Sequence, residues 1–135
     1  MTTEEREEYG VWLKHNGHNC CQSAVEALVF DDESLSSDTR ALLQRVASGF
    51  RTGMGGMQAT CGALCGAVMA AGLKLDGAAT GVAAKQMHQR FSDLSGASIC
   101  CQLKTKGPNG RPLCECDDCV RHAIRAYHEI VDKRP

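Results

Sequence analysis

Nine cysteines in 135 residues constrain this chain more than any other feature, because they fall in three tight groups. Cys20 and Cys21 are adjacent, Cys61 and Cys65 lie four apart, and Cys100, Cys101, Cys114, Cys116 and Cys119 crowd the stretch between positions 100 and 119. The N-terminal run Met-Thr-Thr-Glu-Glu-Arg-Glu-Glu lacks the positive start and apolar core of a signal peptide, so a cytoplasmic location is expected. Thiols are kept reduced there and structural bridges do not persist. Thiol chemistry or metal binding is therefore the first function to test, and an odd count argues against a fully oxidised disulfide scaffold.

Composition narrows the partners. Fifteen Lys and Arg against sixteen Asp and Glu leave a net charge of −1, interleaved along the chain with no basic stripe, so nucleic acid is not an expected partner. The most apolar stretch, Ala59 to Leu75, is too short and too interrupted to span a bilayer, and no membrane insertion is expected.

Every periodic segment reads as helix. Tyr9, Trp12 and Leu13 mark the apolar face of a first helix, which the Asn16-Gly17 turn ends. Asn19 is expected to cap a second, with Ala24, Val25, Leu28 and Val29 inward. A third runs from about Ser37, with Leu42, Leu43, Val46, Ala47 and Phe50 on one side. After a glycine-rich loop at positions 51–57, Thr60 is expected to cap a small-residue helix. A fifth carries Ala83, Met87, Phe91 and Leu94; a turn-rich loop covers Lys106 to Pro112. The last opens near Asp117 and buries Val120, Ile124, Tyr127 and Val131. With no alternating strand pattern and no linker, the expectation is an all-α single domain over residues 1–135, a bundle of about six helices.

Geometry limits what the cysteines can do locally. Adjacent Cα atoms lie about 3.8 Å apart, short of the roughly 4.4–6.8 Å of a relaxed disulfide, so neither Cys20–Cys21 nor Cys100–Cys101 should bridge. Cys61 and Cys65 share a helix face with Cβ atoms about 5–6 Å apart, wide for a bridge but suited to two thiolates on one metal. Cys116 and Cys119 are the local pair best placed for a disulfide. Cys20, Cys61 and Cys119 lie at expected helix starts, where unpaired amides favour a thiolate. Cys61 is expected to have the lowest thiol pKa, since Asp117 and Asp118 oppose negative charge on Cys116 and Cys119. Packing is the default for Cys21, Cys65 or Cys101 taken alone, and a surface role is the default for His122. Cys116-x-x-Cys119 is followed by Val120, not His, so c-type haem attachment is not indicated, and Gly53-x-Gly55 follows a helix, not a strand, so no dinucleotide fingerprint is present.

The segment Gly17-His18-Asn19-Cys20-Cys21-Gln22-Ser23-Ala24-Val25, followed by Gly53-Met54-Gly55 and Cys61-Gly62-Ala63-Leu64-Cys65-Gly66, resembles the family of redox-active proteins named for its C…GCAxxG…C…C signature. The resemblance runs from the Asn-Cys element to Cys116-x-x-x-Val120-Arg121. It implies that Cys20, Cys61, Cys100 and Cys116 are the working cysteines, acting in thiol–disulfide or electron-transfer chemistry with a redox partner protein or a small thiol. The alternative is a metal-binding protein holding zinc or an iron–sulfur cluster through the same four, with Cys65, Cys114 and Cys119 as further ligands. The resemblance supplies no substrate, and no enzyme activity is assigned.

Overall fold

Helix α1 (Thr3–Lys14) begins with a reciprocal cap, Thr2 accepting from the Glu5 amide while the Glu5 carboxylate accepts from the Thr2 amide. The same device starts α2 (Cys20–Val29), where Asn19 and Gln22 exchange bonds of 2.9 and 3.0 Å. The computed structural model describes residues 1–133, and continues with α3 (Ser37–Ala47), α4 (Gly62–Lys74), α5 (Gly77–Ser95), the short α6 (Cys100–Lys104) and α7 (Cys116–Tyr127). Among the described residues there is no strand, only isolated bridges between Thr60 and Ile99 and between Lys106 and Pro112. The expected all-α architecture holds, with α6 added to the expected six helices.

Helix α4 is the centre of the bundle because it is built from small residues. Gly62, Ala63, Leu64, Gly66, Ala67, Ala70 and Ala71 are buried, and α2 lies so close that a Cβ on Gly66 would fall 2.4 Å from the Cys21 carbonyl oxygen. Helix α2 is covered on nearly every side. Its Glu26 is paired with Arg40, and Arg6, 2 % exposed, reaches in from α1 to donate to the Ala27 carbonyl at 2.8 Å and to Asp31 at 3.0 Å. Helix α5 contributes Ala83, Met87, Phe91 and Ser95, spaced four apart, and α7 closes the core with Cys119, Val120, Ala123, Ile124, Ala126 and Tyr127.

Several sequence expectations change for physical reasons. Thr60 does not cap α4; Cys61 occupies the cap position. The Thr60 segment is instead clamped to the residues before α6, with Cys61 donating to the Ser98 carbonyl at 2.7 Å and Cys100 to the Ala59 carbonyl at 2.9 Å. Leu42 and Val46 are 57 % and 53 % exposed, because α3 rests on the rim of α2 through Ala47 and a polar clasp between Gln22 and Gln44. In α5 the inward position beyond Phe91 is Ser95, while Leu94 is only half-buried. Helix α7 opens at Cys116, one residue earlier than expected, and Val131 is half-buried in a wider turn after it.

Candidate thiol site

Four helix starts meet on one side of the bundle. Cys20, Cys100 and Cys116 are the first residues of α2, α6 and α7, and Cys61 is the residue before α4. All four line a single small pocket together with Cys119, Lys104, Thr52 and Gly62. The void is about 10 Å³, room for about one water molecule, so the thiols are packed against one another. None of the nine cysteines is bridged.

The loop before α4 shapes one wall. Thr52, Met54 and Met57 have positive φ, a conformation costly for side chains with a Cβ. Gly53, at φ +54, approaches so closely that an added Cβ would sit 2.6 Å from the Cys100 Cβ. The glycine-rich sequence is thus needed where the loop backbone meets α6.

In and just behind the pocket the thiols shift one another's ionisation in two groups. Interaction with Cys116, together with burial, pushes the Cys20 thiol well above the ordinary range, while the same interaction draws Cys116 down to about 6. Burial opposes ionisation of Cys116, and the ammonium groups of Lys104 and Lys14 favour it. Cys119 lies between Cys61 and Cys114 and is strongly raised by both. Cys61 is lowered, first by the Cys119 hydrogen bond and then, against burial, by the amides of Ala63 and Leu64 at the start of α4. Cys114 is lowered to about 5, by Cys119 first, then by His122 and Ser95 against its own burial. Cys100, buried at the α6 start, is raised by desolvation.

The expectation that Cys61 carries the lowest pKa therefore gives way. Its helix-terminal amides act as expected, but the large depressions fall on Cys114 and Cys116. The expected repulsion from Asp117 and Asp118 is neutralised, since Asp117 sits 3.1 Å from Lys14 and 2.9 Å from His15, and Asp118 sits 2.8 Å from Arg121.

The paired cysteines separate because successive helical residues point about 100° apart. Cys21 turns into the core, fully buried with its sulfur 3.9 Å from that of Met69, and burial pushes it up to about 12. Cys65 does not join Cys61 in the pocket; it lines a separate apolar groove with Phe50, Val68, Met69 and His88. Cys101, half-buried, is not part of the pocket wall either. Cys114 lies outside the wall, yet near enough to Cys119 for each to shift the other's ionisation. His122, expected at the surface, instead sits with Nδ1 2.8 Å from Ser95 Oγ and 3.8 Å from Cys114 Sγ.

Lys14, Lys104, Ser95 and His122 were not legible as site residues. Lys104 follows Cys100 by one helical turn and His122 follows Cys119 by three residues, spacings that place side chains together on a helix but that carry no chemical signature alone. The thiols are chemically suited to zinc or an iron–sulfur cluster. Among the described residues, no group of three or more His, Cys, Asp or Glu side chains is already drawn together in the geometry of a metal site.

A family model described as "Putative redox-active protein (C_GCAxxG_C_C)" matches residues 18–130. No curated protein and no solved structure matches the chain.

Proposed function

Because this chain belongs to the C_GCAxxG_C_C family of redox-active proteins, we propose that its clustered cysteines carry out dithiol–disulfide exchange, with Cys116 attacking and Cys20 resolving. The observation that carries this reading is that Cys20 and Cys116 line one small pocket with Lys104, where their interaction pushes the Cys20 thiol up and draws Cys116 down to about 6. Both residues are only half-buried, whereas Cys61, Cys100 and Cys119 are buried, so the pair is the part of the cluster nearest solvent.

The oxidant is a disulfide, on a partner protein or a small molecule. The Cys116 thiolate attacks one of its sulfurs, forms a mixed disulfide and releases the other sulfur as a thiolate. Cys20 then gives up its proton and attacks the Cys116 sulfur. The second partner sulfur departs as a thiolate, leaving a Cys20–Cys116 disulfide and a partner reduced by two electrons. Cys61 and Cys100 complete the four-cysteine cluster; Cys61, also ionisable, stands behind the exchange pair as a second donor. A compartment that keeps thiols reduced, such as the cytoplasm, resets the pair.

The test is treatment of reduced protein with one equivalent of glutathione disulfide, acid quenching, alkylation and disulfide mapping. A Cys20–Cys116 bridge is the expected early product. If both cysteines remain free while other pairs bridge, the assignment fails.

A further inference from the structure

The sulfurs continue beyond the exchange pair. Cys119 lines the pocket beside Cys61, and the Cys119 and Cys114 thiols are near enough to shift each other's ionisation. Cys114 lies just before α7, 7 % exposed, with its amide donating to the Leu103 carbonyl at 3.2 Å. His122 Nδ1 faces its sulfur at 3.8 Å, and Ser95 Oγ lies 2.8 Å from the same nitrogen. Neither Cys114 nor Cys119 belongs to the four-cysteine signature, and neither has a part in the exchange step above. An imidazole facing a buried thiol, itself held by a serine hydroxyl, makes the surroundings of a reactive sulfur rather than of a packing residue.

We propose that Cys114 and Cys119 form a second redox pair, and that Cys61 passes the disulfide to it from Cys20–Cys116. This inference rests on the exchange pair proposed above. The Cys61 thiolate attacks Cys20 of the Cys20–Cys116 disulfide, and Cys116 leaves as a thiolate beside Lys104. Cys119 attacks the Cys61 sulfur of the resulting Cys20–Cys61 bridge; Cys20 leaves and takes up the proton that Cys119 loses. The Cys114 thiolate attacks Cys119 in the Cys61–Cys119 bridge, and Cys61 leaves as a thiolate. Each step breaks one S–S bond and makes one. The net change exchanges a thiolate at Cys114 for one at Cys116 and a thiol at Cys119 for one at Cys20. No external oxidant or proton is consumed after the first disulfide forms. The two pairs have matching chemistry, each joining a thiol raised by its partner to a thiolate lowered by it, so transfer needs no change in charge. The product is a disulfide that leads from the pocket wall at Cys119 to Cys114, beside His122.

The full chain, reduced and then given one equivalent of glutathione disulfide, is sampled over time by acid quenching and peptide-resolved disulfide mapping. The expected course is a Cys20–Cys116 bridge that decays as a Cys114–Cys119 bridge grows. In Cys61→Ser the first bridge accumulates and the second appears at least about tenfold more slowly, since direct exchange has lost its intermediate sulfur. If Cys114–Cys119 grows as fast in Cys61→Ser, or never grows in the unmodified chain while Cys20–Cys116 persists, the relay is wrong and the exchange pair stands. Absence of any Cys20–Cys116 bridge overturns both. The time course in the unmodified chain distinguishes these outcomes even if the variant is poorly folded.

Discussion

Replacing Cys20 by Ala tests the origin of the low pKa of Cys116. The largest influence on Cys116 is the hydrogen bond from Cys20, followed, against burial, by Lys104 and Lys14. A hydrogen bond to a charged group contributes about 1.5–3 kcal/mol, and each 1.36 kcal/mol corresponds to one pH unit in a pKa. Cys20→Ala should therefore raise the titration midpoint of Cys116 from about 6 by about 1–2 pH units. The thiolate fraction at pH 7 then falls from about nine-tenths to between about one-half and one-tenth. The rate at that single pH is a poor measure, because a more basic thiolate is also a better nucleophile, about 2.5–3-fold per pH unit on the thiol–disulfide scale. The two effects cancel to within about twofold. The proper assay is the pH dependence of iodoacetamide alkylation between pH 4 and 10, read at Cys116 by peptide mapping. A midpoint unmoved by the substitution, or one already near 9 in the parent chain, would refute the hydrogen-bond account. Lys104→Met should move it less, and by an amount that shrinks with salt in the parent chain.

Two further outcomes follow from the same geometry. The potential of the Cys20–Cys116 couple should fall by about 59 mV per pH unit below pH 6 and by about 30 mV above it, because reduction takes up two protons while Cys116 is a thiol and one once it is a thiolate. A single slope to pH 8 in redox titrations would contradict the depressed pKa. Gly66→Ala should destabilise the fold by about 1–3 kcal/mol, since the added Cβ falls 2.4 Å from the Cys21 carbonyl oxygen; a urea midpoint equal to that of the parent chain, at the same m-value, would show that α2 and α4 can separate without cost.

The helices were legible because their information is local. The Asn19-x-x-Gln22 cap, the small-residue run of α4 and the Ala83, Met87, Phe91 spacing of α5 each encode a start or a buried face within a few residues. Local pattern misled where burial depends on a neighbour. The apolar stripe of α3 had no second partner to cover Leu42 and Val46, and Thr60 lost the cap of α4 to a distant bridge with Ile99.

For the thiols, the sequence by itself determined that Cys20, Cys61 and Cys119 lie at or near helix starts, where amides favour a negative charge. Only the tertiary structure decided which thiols have their pKa drawn down. Cys116 owes its low pKa to Cys20, ninety-six positions earlier, and to Lys104, while Asp117 is drawn off by Lys14 and His15. Cys114 owes its own to Cys119, His122 and Ser95. A thiol's ionisation depends on the hydrogen-bond donors and charges within a few ångströms of the sulfur, and packing, not sequence spacing, brings those groups together.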